Sequence, residues 1–197
     1  MSQGIIIKTK DEIELIRKSS LLVGKTLAEV ARNIKPGVTT QELDKIAYDF
    51  IIRNNAKPSF LGYRRFPASL CISVNDEVVH GIPGKRVISE GDLVSVDCGV
   101  FMNGFHGDSA YTFTLKGVSV EAQNLCRTTM KCLNDAVSIA KPGARVGDIS
   151  YTVQSIAESN GYGVVRELIG HGVGRKDRKS TRLNSSHVSE SRMPSSA

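Results

Sequence analysis

Apolar residues in the first third of the chain recur at helical spacing, and helix-start signals precede them. Thr9 followed by Glu12 forms a capping-box pattern, after which Ile13, Ile16, Leu21, Leu27, Val30 and Ile34 supply a helical apolar stripe. Pro36-Gly37 stops it. A second capping box, Thr39 with Glu42, opens a helix whose apolar face uses Leu43, Ile46, Ala47 and Phe50. A third helix is predicted after Ser119, through Leu125, Cys132, Leu133, Val137 and Ala140 to Pro142-Gly143. A fourth is predicted from about Val146 to Glu158.

These helices contain a repeat. Ile34-Lys35-Pro36-Gly37-Val38 recurs 106 residues later as Ala140-Lys141-Pro142-Gly143-Ala144, and Leu43 and Phe50 are matched by Ile149 and Ile156. Lys-Pro-Gly is a common helix stop, so the tripeptide alone is a weak signal. A long helix before it and a shorter one after it, in both copies, point to an internal duplication.

Between the helix pairs the period changes to that of strands. Cys71–Val74 is a short strand ended by Asn75-Asp76, and the apolar segment Val78 to Pro83 follows. Leu93 to Phe101 is a longer strand, Asn103-Gly104 is a strong two-residue hairpin turn, and Phe105 to Leu115 returns. The second copy should re-enter sheet at Val164-Val165 and Leu168-Ile169. After Gly170-His171-Gly172-Val173-Gly174 the pattern breaks down: Lys176–Ala197 holds seven serines in 22 residues and almost no apolar periodicity. A disordered native terminus fits that composition. A foreign or out-of-frame tail fits better, because the first copy's 93–115 hairpin has no counterpart. The expected organisation is a partial catalytic domain over 1–175 and a disordered, non-native tail over 176–197.

Composition narrows the class. The apolar content of 40% and charged content of 23% are those of a globular protein. No apolar run is long enough for a membrane span, and Asp11, Glu12 and Glu14 argue against a secretory signal. Four cysteines (Cys71, Cys98, Cys126, Cys132) without CxxC spacing read as buried, reduced thiols of a cytoplasmic protein. Half of the net charge of +6 lies in the tail, where five basic residues face two acidic ones. No nucleic-acid-binding motif accompanies it, so a specific nucleic-acid partner is not expected.

The candidate chemistry lies in the hairpin. A two-residue turn at Asn103-Gly104 makes paired positions sum to 207, which sets Asp108 opposite Gly99 and Asp97 opposite Ala110. Both carboxylates then project from one face as diagonal neighbours, roughly 7–8 Å apart at the backbone. Two solvated aspartates beside a turn are the bland reading. Asp97, however, follows Leu93-Val94-Ser95-Val96, and carboxylates held in a sheet repel each other and lose solvation unless a cation compensates. His171, between glycines, and His80, before Gly81-Ile82-Pro83, are the histidines with functional settings; His106 and His187 read as surface or hydrogen-bonded residues. Two carboxylates and a histidine suit a divalent transition metal.

At these residues the sequence resembles the type I methionine aminopeptidases, which share the α+β pita-bread fold of creatinase and aminopeptidase P. The resemblance runs from Ile5 to about Arg175. It rests on Lys35-Pro36-Gly37, Gly62-Tyr63, Cys71–Asn75, His80–Pro83, Gly91-Asp92 with Asp97, Gly104–Asp108, and Val165-Arg166-Glu167 with Gly170–Gly174. It implies a fold with an internal pseudo-two-fold repeat, here with an incomplete second half. It implies two divalent metals (Co, Mn, Fe, Zn or Ni), with Asp97, Asp108 and His171 as ligands. His80 is implied to be the catalytic histidine contacting substrate beside the scissile bond. Tyr63, Phe66 and Cys71, with Phe60 beside them, would line a pocket for a methionine side chain. The implied activity is removal of the initiator methionine from nascent chains by a cytoplasmic monomer working near the ribosome.

Departures from the family pattern accompany the match. Arg178 stands where the family has a second histidine, and Glu190, outside any family-like context, is the tail's one glutamate where two metal-binding glutamates are expected. Impaired turnover is therefore the expectation for this chain. A non-catalytic pita-bread module that binds peptides or proteins is the alternative. An aminopeptidase acting before proline is a further option, but such enzymes usually carry an N-terminal domain for which this chain has no room.

Overall fold

The structure is a computed structural model and describes residues 6–166, 168 and 170–176. Four helices lie at Lys10–Asn33 (α1), Thr40–Arg53 (α2), Val120–Ile139 (α3) and Val146–Ser159 (α4). Four strands lie at Lys57–Pro58 (β1), Leu70–Val74 (β2), Leu93–Met102 (β3) and Phe105–Thr114 (β4). The described residues fall into two compact units. One is Asp11–Val120 continued from Val173, and the other is Glu121–Gly172 with the residues before Asp11. No described helix is long and apolar enough to cross a membrane.

In the first unit β3 is the central strand. It pairs antiparallel with β4 along one edge, and with β2 and then β1 along the other. The hairpin register is the one the turn predicts, with Met102 opposite Phe105, Gly99 opposite Asp108, and Asp97 opposite Ala110. Asn103 and Gly104 both adopt positive φ, 53° and 81°, as a turn matching the strand twist requires. Val94, Val96, Cys98 and Val100 alternate along β3 onto one face, and all four are fully buried. Leu22, Val23 and Val30 of α1 and Leu43, Ala47 and Ile51 of α2 join them in one core. Buried Ser19 ties α1 to the hairpin turn, its hydroxyl lying 3.1 and 3.0 Å from the carbonyl oxygens of Met102 and Phe105.

The Thr39 capping box is present in full: the Glu42 amide donates to the Thr39 hydroxyl at 3.2 Å, and the Thr39 amide donates to the Glu42 carboxylate at 2.7 Å. Several expectations need correction. Leu21 is exposed, because the buried positions of α1 are Ser19, Leu22, Val23, Thr26 and Val30, an unbroken 3.6-residue period that leaves position 21 on the outer face. On α2, Ile51 joins Leu43 and Ala47 as a fully buried position, Phe50 packs half-buried against the same core, and Ile46 is only half-buried. Val78 to Pro83 is not a strand; it is a loop with Val78, Val79 and Ile82 exposed. Cys126 is only half-buried, unlike the other three cysteines.

In the second unit α3 and α4 reproduce the spacing of the first pair. Thr40–Arg53 plus 106 residues is Val146–Ser159, the C-cap Asn54 maps to Asn160, and Gly37 at φ 93° maps to Gly143 at φ 91°. The helix–stop–helix duplication read from sequence is therefore present in the backbone. Val164-Val165 is not a strand, Val165 being exposed, and Ile169 lies outside the described residues. The proposed tail, with Arg178, His187 and Glu190, also lies outside them, apart from Lys176.

Candidate functional site

The face of the hairpin opposite the core carries the polar chemistry. Alternation puts Ser95, Asp97, Gly99 and Phe101 of β3 on this face, with Thr112, Ala110, Asp108 and His106 opposite them on β4. Cys71 and Ser73 of β2 pair with Asp97 and Ser95 and extend the same face. Ser95 and Thr112 join hydroxyls at 2.9 Å. Asp97 and Asp108 are both half-buried, and both sit close enough to the Cys98 thiol to act on it. Burial pushes the Cys98 thiol far up, and the negative charges of Asp97, Asp108 and Asp44 add to that. Cys98 is thus an inert core thiol.

Gly99 is the cross-strand partner of Asp108, and its lack of a side chain is needed for close approach. A Cβ there would stand 2.6 Å from Cε1 of Phe60 and 2.8 Å from Cβ of Ser59. The Phe60 ring therefore lies directly on this face beside Asp108's partner position. The chain is held there by the Ser59 amide, which donates to the Gly99 carbonyl at 2.9 Å.

Phe60 also lines a cavity of about 320 Å³ with Tyr63, Phe66, Cys71 and His80. The backbone that shapes it is strained. Gly62 at φ 82° precedes a 3-10 turn over Tyr63–Arg65 in which Arg64 and Arg65 hold φ of 47° and 68°. Left-handed geometry costs a non-glycine residue about 1–2 kcal/mol. The turn is kept by bonds from the Gly62 amide to the Phe66 carbonyl and from the Tyr63 amide to the Phe60 carbonyl, both 2.9 Å. His80, at φ 59°, is a third such residue, and its neighbour Gly81 is pinned to β2 through Ile72 and Ser73. Three left-handed non-glycine residues around one cavity mark a site that the surrounding structure over-determines.

Every residue expected to line a methionine pocket is at this cavity, and the cavity wall at Cys71 is the cross-strand neighbour of Asp97. His171 belongs to the second unit, where it is exposed with Nδ1 3.4 Å from the Gly172 carbonyl oxygen. His106, read from sequence as a surface or hydrogen-bonded residue, is hydrogen-bonded on this same hairpin face. Its Nδ1 is 2.8 Å from the Ser59 hydroxyl, its ring packs tilted at 44° against Phe101 with centroids 4.6 Å apart, and its amide donates to the Gly174 carbonyl at 2.8 Å. The period-2 alternation that placed Asp108 would have placed His106 on the same face. Arg64 and Arg65 were passed over, although they directly follow the Gly62-Tyr63 motif.

Half-buried carboxylates on neighbouring rows are hard oxygen donors whose mutual repulsion a divalent cation removes, so Asp97 and Asp108 fit part of a metal site. Among the described residues, no group of three His, Cys, Asp or Glu side chains could hold a metal ion.

The profile of metallopeptidase family M24 matches residues 14–194. The methionine aminopeptidase of Clostridium acetobutylicum is 50% identical over 173 residues, covering 87% of this chain and 69% of that protein. The crystal structure of methionine aminopeptidase from Thermotoga maritima superposes with a TM-score of 0.87 at 37% identity, over 98% of this chain and 74% of that one. The prolidase from Pyrococcus horikoshii shares the fold, with a TM-score of 0.79 at 24% identity over 90% of this chain and 50% of that one.

Proposed function

This chain belongs to the methionine aminopeptidases of metallopeptidase family M24 and has their pita-bread fold, and on that footing we propose that its site removes the N-terminal methionine from nascent proteins. The observation that carries this reading is the cavity of Phe60, Tyr63, Phe66, Cys71 and His80, walled by Cys71 directly across from Asp97. Aromatic rings and a thiol suit a thioether side chain through dispersion and shape. Asp97 beside that cavity suits the substrate's cationic amino terminus and its metal.

Asp97, Asp108 and His171 are the proposed ligands of two divalent metals, with Co, Mn, Fe, Zn and Ni all compatible with such donors. Bound there, the cations supply Lewis acidity toward the scissile carbonyl and lower the pKa of water. His80 is the catalytic histidine: its imidazole hydrogen-bonds the scissile peptide group and fixes it relative to the carboxylates. The Phe60 ring over Gly99 limits water at the peptide bond. A cytoplasmic monomer working on chains as they leave the ribosome fits this substrate.

Because Arg178 stands where the family pattern has a second histidine, turnover by this chain is expected to be impaired. The test is hydrolysis of Met-Ala-Ser with excess Co²⁺ or Mn²⁺, paired with Mn²⁺ titration of the chain and of Asp97→Asn. Turnover at the rate of a full-length relative would overturn the impairment. Unchanged Mn²⁺ affinity in Asp97→Asn would overturn the metal assignment and favour a non-catalytic binding module.

A further inference from the structure

We propose that Arg64 and Arg65 form a cationic rim that selects peptides carrying acidic side chains downstream of the residue held in the cavity. This rests on the reading that the cavity takes the substrate's first side chain. Both arginines are exposed and line the cavity, and no Asp or Glu shares its lining. Neither forms an ion pair among the described residues, where the ion pairs involve other arginines and lysines away from this cavity. The Arg64 guanidinium lies over the Tyr63 ring, 5.6 Å from its centroid, which holds a charge at the mouth while Tyr63 faces the cavity.

The backbone argues that this placement is specific. Arg64 and Arg65 occupy consecutive left-handed positions, where glycine or asparagine is the usual residue. An unpaired arginine pair kept at strained positions on a cavity rim has a ligand-facing role as its simplest physical account. The cavity is also polarised. Asp97 adjoins its Cys71 wall, whereas the Tyr63–Arg65 turn contributes the positive charges. A peptide whose amino terminus is cationic and whose following residues are anionic matches both charges at once. A peptide with basic residues after its second position opposes the rim.

The test is fluorescence anisotropy with C-terminally labelled Met-Ala-Glu-Glu-Ser, Met-Ala-Gln-Gln-Ser and Met-Ala-Lys-Lys-Ser peptides, with chelator present so that none is cleaved. The full chain is expected to bind the acidic peptide about fivefold tighter than the neutral one at low ionic strength, since exposed charge pairs are individually weak. High salt should erase the ratio. Arg64→Gln/Arg65→Gln should reduce the acidic-to-neutral ratio to near one, and Arg64→Glu/Arg65→Glu should reverse it in favour of the lysine peptide. Circular dichroism matching the parent would show that the variants fold. The salt response of the parent chain tests the proposal without any variant. Equal affinities in the parent, a ratio unmoved by the substitutions, or no binding of any peptide overturns it. A Ser-Ala-Glu-Glu-Ser peptide separates the two readings. If it matches Met-Ala-Glu-Glu-Ser in affinity while the acidic ratio persists, the methionine pocket fails and the arginine assignment stands.

Discussion

Helices α2 and α4 have the same length of 14 residues, start 106 positions apart and both end on an asparagine cap, but they meet different surroundings. On α2 the positions Thr40, Leu43, Ala47 and Ile51 are buried. Their counterparts on α4 are Val146, Ile149, Val153 and Ala157, of which only Ala157 is buried. The inward face is kept while its cover differs. In the first unit that cover is the sheet, since Leu43, Ala47 and Ile51 share a core with Ile72, Val74, Val94 and Val96. No strand is present in the second unit among its described residues. The same helix plan is thus a core element in one unit and a partly wetted pair in the other. What decides between them is apolar area removed from water, not helix propensity.

The sharpest way to break this comparison is to truncate matched side chains. Leu43→Ala should cost about 2–5 kcal/mol, as for a buried leucine. Ile149→Ala should cost about 1 kcal/mol, because part of that side chain is already hydrated. Urea denaturation followed by hydrogen exchange, which resolves the two units, measures both. Equal penalties would mean that α4 is as well covered as α2 in solution.

A second substitution probes what the sheet adds beyond packing. Gly99→Ala should destabilise the first unit by about 1–3 kcal/mol, because its Cβ must displace Phe60 and Ser59. The displaced ring moves within the proposed pocket, so methionine-peptide affinity should fall with stability. Loss of stability with unchanged peptide affinity would detach Phe60 from the pocket.

Gly37→Ala and Gly143→Ala serve as a matched pair. Both glycines hold φ near 90° and neither has a heavy atom within 4 Å of a built Cβ, so the penalty is conformational alone. About 1–2 kcal/mol is expected at each. Thermal melts of the two variants should show the loss in different units. A large difference in magnitude would indicate that the two stops are not equivalent.

How much was legible in the sequence follows from which interactions are local. Capping boxes, proline–glycine stops and the Asn103-Gly104 turn act over a few residues, and helix bounds, hairpin register and the 106-residue duplication could all be read from them. The Asp97/Asp108 geometry came with the register. The cavity was named through family resemblance and not by derivation, because Tyr63, Phe66, Cys71 and His80 come together only through tertiary folding of the 59–82 segment. His106 reads from sequence as a surface or hydrogen-bonded residue and is hydrogen-bonded, but its partner Ser59 lies 47 positions away and only the fold reveals it. The left-handed state of Arg64 and Arg65 contradicts residue preference outright. Such contradictions are invisible to propensity and tend to fall at functional sites.

The smallest predicted effect concerns Asp44, where the two helix pairs also differ. Asp44 of α2 accepts the Ser69 and Leu70 amides on one oxygen, at 2.9 and 2.8 Å, and so fixes the start of β2. Its counterpart on α4 is Ser150, an exposed residue whose hydroxyl returns to the Val146 carbonyl at 3.4 Å. Burial raises the Asp44 carboxyl above its usual range, against the lowering effect of the Leu70 and Ser69 amides. A raised folded-state value means that the folded chain binds this proton more tightly than the unfolded chain. The stabilisation is fully present below the ordinary carboxylate range and is lost as pH rises through the raised value. Asp44→Asn keeps an oxygen acceptor for both amides and removes the titration. The stability of the parent relative to Asp44→Asn should therefore decline as pH climbs through that window and level off above it. Urea midpoints at several pH values measure this, and Ser150→Ala should show no such trend. If the parent instead gains on Asp44→Asn as pH rises, the two amide bonds outweigh burial, and α2 would be anchored to the sheet by charge more than by the core beneath it.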